Sequence, residues 1–308
     1  MPMLTRFGGS RAFGLFSVAP ILPGGYITSR DPSTIHKMVY STEVVSALSW
    51  SRTTGGNMGS ALGNAGVAGY LLNNLDSEKV LFPSDTKAAS APTLSSSRDS
   101  SAGASNSGSF GYAMSGYSGS AGAGTTTVDK ITYSNDTRST LGTGLSVAKY
   151  GAAGLGNRAV AAYVSAGYGN GTSTEKFNFS NDSRSSVGFS LAVSRGYATG
   201  ISNSGTAGYI GGGFVDINTY GSDVIEKIVF SNDTRSTLSA RMPTIGRWAI
   251  SGIHNQGVAG YFAGGLSSAS YSGYNNIYKI DYSNDNLSTN SSTMTTNVEF
   301  GMGLSDSI

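Results

Sequence analysis

The chain contains no cysteine, which excludes disulfide frameworks, thiolate metal centres and cysteine nucleophiles at the outset. Histidine is nearly as scarce. His36 and His254 lie far apart with no acids at metal-ligand spacing, so each reads as a strand-end or turn residue and no metal or other cofactor is expected. Charged residues make up 12% of the chain and the formal net charge is +2, which lacks the basic stripe of a nucleic-acid binder. No apolar run reaches the ~18 to 20 residues of a spanning helix, so membrane insertion is not expected. Residues 1–22 place Arg6 and Arg11 before an apolar stretch in the manner of a secretory signal. Pro20 and Pro23 then follow with no small-x-small cleavage site, so the segment reads as strand and arm. The GNG at 169–171 is not followed by Gly-Lys-Ser/Thr, so it is no phosphate loop.

Repetition is what the chain has in abundance. The pattern Lys-x-x-aromatic, Ser or Pro, any residue, Asp or Glu starts at Lys37, Lys79, Lys130, Lys176, Lys227 and Lys279. The spacings of 42, 51, 46, 51 and 52 residues suit a four-stranded propeller blade and are too long for a leucine-rich or ankyrin unit. Together with 44 glycines and 38% hydrophobic residues, this predicts an all-β fold: a six-bladed β-propeller of four-stranded antiparallel blades.

One unit, residues 195–247, shows the four strands: 197–202, 206–212 (TAGYIGG), 225–230 and 237–241. In the third strands Ile131 and Tyr133, Phe177 and Phe179, Ile228 and Phe230, and Ile280 and Tyr282 fall at i, i+2, so each pair should pack on the neighbouring blade. The second strands carry Tyr70, Tyr112, Tyr163, Tyr209 and Tyr261 among Gly and Ala, as sheets converging on an axis require. Between strands three and four, Ser-Asn-Asp-Thr-Arg and its variants predict an Asx-type turn. The repeated acids Asp85, Asp136, Asp182, Asp233 and Asp285, with Glu43 in the first unit, then read as turn fasteners rather than catalytic groups.

This order of features resembles the kelch-repeat propeller. Arg195 and Arg247 fit its basic position, Gly211-Gly212-Gly213 and Gly264-Gly265 its diglycine, and Tyr133-Ser134-Asn135-Asp136 its turn; Leu141, Val187 or Leu238 stands where kelch has tryptophan. The turn is also similar to the Asp-box of sialidase propellers, Ser134, Asp136 and Thr140 matching while Arg138 and Leu141 replace its glycine and tryptophan. In that family the box is structural. The SNDT-type turns and AGYxxGG strands resemble repeats in virion proteins of tailed bacteriophages. That resemblance implies a non-enzymatic structural protein located in the virion, in a tail, fibre or capsid surface. Its expected partners are other virion proteins and host-surface polysaccharide.

The ring should close at its ends. Residues 298–304 (VEFGMGL) align with the inner strands, and the first unit begins at its second strand near 18–24, which makes 18–308 the propeller and 1–17 an N-terminal arm. Equally, residues 11–17 could supply the inner strand of the first blade and leave the C-terminal tail as the arm. Connections from strand four to one and from two to three emerge on one face. There Arg52, Arg98, Lys149, Arg195 and Arg247, with Glu299 at the sixth position, should ring a channel mouth able to attract an acidic polysaccharide or an acidic partner patch, or else each should bond carbonyls or an acid in its neighbour blade. The long two-to-three loops add Tyr117, Tyr168, Tyr220, Tyr271 and Tyr274 as flat surfaces for sugar rings or protein contact. Asp216, Asp223 and Glu226, near one such loop, are the acids that a glycoside hydrolase reading would use, the chain otherwise reading as no enzyme.

Overall fold

The computed structural model describes residues 24–28, 34–53, 58–82, 84–106, 108–119, 123–168, 171–216, 221–243, 247–266 and 272–305. These form a six-bladed β-propeller with no helix among them. Blade 1 takes β1 (Gly24–Thr28), β2 (Thr34–Val39) and β3 (Val44–Ser51). Blade 2 follows with β4 (Ser60–Asn64), β5 (Ala68–Asn73), β6 (Asp76–Leu81) and β7 (Thr86–Lys87). Blade 3 is built from β8 (Ala102–Asn106), β9 (Phe110–Met114), β10 (Val128–Thr132) and β11 (Thr137–Thr140). Blade 4 holds β12 (Ala153–Asn157), β13 (Ala161–Ser165), β14 (Thr174–Asn178) and β15 (Arg184–Ser186). In blade 5 these are β16 (Thr199–Asn203), β17 (Ala207–Gly211), β18 (Val224–Val229) and β19 (Thr234–Arg241). Blade 6 contains β20 (Ser251–Asn255), β21 (Ala259–Ala263), β22 (Ile277–Asp281) and β23 (Leu287–Thr289). The last strand, β24 (Gly303–Ser305), returns to blade 1 as its inner strand, antiparallel to β1 with Tyr26 opposite Leu304. This pairing covers an edge that would otherwise be open. Residues 1–17 and the competing segment 11–17 lie outside the described residues.

Glycine sets the spacing at the axis. Gly103, Gly154, Gly200, Gly252 and Gly303 take equivalent places on the inner strands, and each abuts the backbone of the preceding blade: a Cβ on Gly154 would sit 2.1 Å from the Gly103 carbonyl oxygen. Farther out the second strands leave holes. Gly69, Gly111, Gly208 and Gly260 receive Leu304, Leu62, Leu155 and Ile201 from the preceding blade, so apolar side chains lock neighbouring sheets like knobs in sockets.

The sequence motif proves to be a joint between blades. Tyr70 Oη donates to Asp136 Oδ1 at 2.6 Å and Lys79 Nζ reaches both carboxylate oxygens at 2.9 and 2.7 Å, although Asp136 belongs to blade 3. The same Tyr–Lys clasp holds Asp85, Asp182, Asp233 and Asp285, and the ring closes with Tyr261 and Lys279 on Glu43. Each tyrosine also packs on the aromatic residue of the next motif, as Tyr70 stacks on Tyr133 at 5.1 Å. The acids therefore fasten one blade to the next rather than bonding within their own turn. The asparagine does that work: Asn135 Oδ1 accepts from Thr137 Oγ1 at 2.8 Å, and Asn232 does the same for Thr234 at 2.7 Å. The clasp acids sit at positive φ, 55° at Asp136, a backbone state that Asp tolerates better than most residues.

Asp136 is a third open to solvent, which screens its ion pair. Asp136→Ala is expected to cost about 2 kcal/mol of unfolding free energy, from lost charge-assisted hydrogen bonds. Asp136→Asn keeps the backbone preference and one acceptor but not the charge, so it should cost less than alanine yet still clearly destabilise, and an Asn variant as stable as the parent in chemical denaturation would sink the assignment to the charge.

Candidate functional site

The five cations expected at the channel mouth lie inside the blades, each no more than 3% exposed. They precede the inner strands and reach back across their own sheets to an acid immediately before the motif lysine. Arg98 pairs with Asp129 at 3.0 Å and donates to the Ser115 carbonyl at 2.8 Å. Arg195 Nη2 meets Glu226 Oε2 at 2.7 Å while Nη1 donates to the Val224 carbonyl at 2.7 Å. Arg52 and Lys149 face Glu78 and Glu175 at 3.5 and 3.8 Å. In blade 6 the acid is replaced by Tyr278, and Arg247 lies over the rings of Tyr274 and Tyr278 at 3.8 and 4.8 Å, a cation–π substitute for the ion pair. Burial lowers the Arg195 guanidinium to about 10 despite the opposing pull of Glu226, so it stays charged at neutral pH. Burial pushes the Asp129 carboxyl up, but the Ser95 amide, Thr140 hydroxyl and Arg98 outweigh it and hold it below its ordinary value. These charges are neutralised within the sheets and offer nothing to an acidic polysaccharide, which corrects the expectation of an open cationic ring.

The sixth member of that ring is also different. Left-handed backbone recurs at Ser100, Gly151, Tyr197, Ala249 and Phe300, two residues after Arg98, Lys149, Arg195, Arg247 and Val298. Val298, not Glu299, thus occupies the sixth cation position, and the acid opposite becomes His36 in β2. His36 is fully buried and its Nε2 bonds Thr295 Oγ1 at 2.8 Å. Blade 1 replaces an ion pair by a neutral pair. His254 lies in β20 on the channel wall, its Nδ1 3.3 Å from Ser305 Oγ. His254 stands next to the last residue of β20, as the strand-end reading expected, whereas His36 lies inside β2.

Loss of solvation lowers both imidazoles, His254 to about 4. Between the ordinary histidine value and about 4 the unfolded chain therefore binds protons that the folded chain does not, and stability falls as pH drops through that window. Below it, the depressed carboxylates of Asp129, Asp136 and Glu78 lose their contribution as they protonate. The melting temperature should fall continuously from pH 7 to 3, and His36→Gln with His254→Gln should flatten only the upper part of the curve.

The left-handed residues also tie the mouth together. Gly151 N–H donates to the Ser100 carbonyl at 2.7 Å, Tyr197 N–H to Gly151 at 2.7 Å and Ala249 N–H to Tyr197 at 3.1 Å, a chain of bonds running from blade to blade. For Tyr197 and Phe300, at φ 52° and 48°, this backbone is unusual for bulky side chains. The result is an aromatic cap over the mouth. Tyr150 stacks on Tyr168 at 5.1 Å and meets Tyr117 edge-on at 5.1 Å. Tyr197 contacts Tyr150, Tyr168, Trp248 and Phe300 with centroids 5.4 to 6.1 Å apart. Phe214 joins Tyr168 to Trp248 at 6.2 and 5.5 Å. Apart from Trp248, 7% exposed, these rings are half-buried.

Tyr117 and Tyr168, expected as binding residues, belong to this cap; Tyr274 is half-buried against Arg247, and Tyr220 and Tyr271 lie outside the described residues. Sequence reasoning passed over Tyr150, Tyr197, Phe214, Trp248 and Phe300. A usable signal existed, since Tyr150, Tyr197 and Trp248 stand one or two residues after a ring cation.

Comparisons with known proteins agree on the fold. A solved structure described as "Structure of YjhT" matches with a TM-score of 0.67 at 14% identity, covering 80% of this chain and 87% of that one. No family model matches the sequence, and no curated protein does. At that identity the likeness is one of architecture.

The opposite face is polar. Beneath it the channel holds about 120 Å³, walled by the inner-strand glycines with Ser105, Ser202, Ser305, His254 and Gln256. The antiparallel β1–β24 pair begins and ends on this face, Gly25 opposite Ser305. Glu226, one of the acids considered for hydrolysis, is fully buried and accepts from Arg195, Arg235 and the Ala192 amide. Among the described residues no three His, Asp or Glu side chains group to hold a metal ion.

Proposed function

We propose that this propeller is a non-enzymatic, kelch-like component of a tailed-phage virion, a tail, fibre or capsid-surface part that displays one face and docks by the other. The observation that carries the display reading is the aromatic cap, a set of half-buried rings packed around the buried Trp248 on a face from which β1 and β24 do not depart. Apolar surface gathered in this way marks binding sites. The repeated acids support a non-enzymatic role because every motif carboxylate is engaged in a clasp and Glu226 in a buried ion pair. The virion assignment rests on the style of the repeat.

An antibody against the protein tests the reading directly. It should detect the protein in gradient-purified, salt-washed particles, whereas presence in infected-cell lysate with absence from such particles would overturn it. The same cap favours recognition of host-surface glycan as a second activity of the displayed face.

A further inference from the structure

We infer that the outer edge of blade 1 is the docking site of the chain's own N-terminal segment, residues 11–17 adding to β3 as a fifth, antiparallel strand.

β3 ends its sheet, and among the described residues no strand pairs with its outer edge. An outer strand presents backbone N–H and C=O groups to any passing strand, and proteins guard such edges by keeping them short or charged. The other five blades do so. β7, β11 and β15 are two, four and three residues long and carry Lys87, Arg138 and Arg184, and β23 has only three residues. β19 is as long as β3 and breaks register at the equivalent place, but it carries Arg235 before the break and Arg241 after it. β3 has neither safeguard. Val44–Ser51 (VVSALSWS) is eight residues without charge, proline or glycine, and Val44 is 55% exposed. Its break in register falls after Ala47, so residues 44–47 are the regular stretch open to pairing.

Connectivity names the occupant. Gly24 lies beside Val39 and Val39 beside Val44, so the chain enters β1 at the end of the blade where β3 starts. A strand that precedes this entry and lies on β3 therefore runs antiparallel to it. From β1 to the added position is three strand spacings, about 14 Å, and residues 18–23 can span up to about 20 Å. Residues 11–17 (RAFGLFS) fall between Gly9 and Pro20, hold no acid, and bring Phe13, Leu15 and Phe16 to an edge that exposes Val44, Ser46 and Ala47. A second copy could offer its own β3, but the tether gives the N-terminal segment an effective concentration of about millimolar. Cover by the segment closes the edge to the copy-to-copy pairing that a long uncharged strand invites.

The absence of cysteine allows disulfide trapping without background. In the full chain, Ala47→Cys, at an exposed position of β3, would be combined in turn with Ala12→Cys, Phe13→Cys, Gly14→Cys, Leu15→Cys and Phe16→Cys under mild oxidation. The expected result is an intramolecular bond, seen as a monomer of altered mobility on non-reducing gels, at one or two of the five positions in about tenfold excess over the others. Ser288→Cys, exposed on the outer strand of the adjacent blade 6, is the control and should trap none of them. Hydrogen exchange of the unsubstituted chain reads the same pairing: the amides of residues 12–17 should exchange about tenfold or more slowly than in a free peptide of that sequence.

Equal trapping at all five positions, trapping at Ser288 as efficient as at Ala47, or unprotected amides in residues 12–17 would each overturn the inference. Disulfide-linked dimers of the Ala47→Cys variant alone would place a second copy's β3 on the edge and overturn it too. Neither readout depends on the virion reading.

Discussion

Replacing Arg195 by methionine should lower the unfolding free energy by about 3 to 5 kcal/mol, among the largest effects of any single substitution in this chain. Arg195 is 2% exposed and Glu226 fully buried, so the substitution removes the partner of Glu226 Oε2 and leaves the buried carboxylate to the partly exposed Arg235 at 3.1 Å and the Ala192 amide at 2.8 Å, both on Oε1. The carbonyls of Val224 and Ile210 lose a donor as well, at 2.7 and 3.4 Å. Most of the cost belongs to the buried Glu226 Oε2 left without a donor rather than to the pair itself. Arg195→Met combined with Glu226→Met should therefore recover much of the loss, because two apolar side chains of similar volume need no solvation. Arg247→Met should be milder, as its partners are the rings of Tyr274 and Tyr278 and no anion is stranded. Urea denaturation followed by circular dichroism measures all three. An Arg195→Met protein within about 1 kcal/mol of the parent would show that the buried pair is not needed for the blade.

The second large effect belongs to the axis. Gly154→Val should cost about 3 kcal/mol or more, or abolish folding, because the new side chain must enter space held by backbone. Its Cβ alone would stand 2.1 Å from the Gly103 oxygen and 2.8 Å from the Gly103 carbonyl carbon. Gly103 cannot retreat, since its own Cβ position already lies 2.4 Å from the Ala61 oxygen. The strain would pass from blade to blade around the ring. Gly142→Val serves as the control: a Cβ there meets nothing within 4 Å and the backbone is not left-handed, so its stability should match the parent. Similar melting temperatures for the two variants would refute the close approach of the inner strands.

Much of this architecture was legible because a ring repeats its requirements in every blade. The spacing of the Lys-x-x-aromatic motif and the Gly-Tyr pairs announced blade number and strand order, since each blade must meet its neighbour in the same way. Strand limits came close: 225–230 was expected and Val224–Val229 is observed. The inner strand of blade 5 starts at Thr199 rather than 197, because Tyr197 turns left-handed before the ladder begins.

Partnership was the part that sequence could not supply. A lysine, a tyrosine and an aspartate repeated in register can bond within a turn, within a blade or across blades, and the period is the same in all three cases. Only the packed ring shows Lys79 and Tyr70 reaching Asp136 in the next blade, and Arg195 folding back on its own Glu226. For the same reason the five cations looked like a surface feature: a repeated charge is equally periodic whether it faces solvent or lies in a sheet. The aromatic cap left still less trace, because its rings come from connections of unequal length and meet only when five blades converge on the mouth.

The sequence by itself therefore determined the all-β class, the six-fold repeat and the small residues at the axis, all consequences of local pattern and period. Tertiary structure decided which acid answers which cation, which face is apolar and which strand closes the ring. Those are outcomes of distances between residues tens to hundreds of positions apart, as with Tyr26 and Leu304 in the closing pair, and no local pattern encodes them.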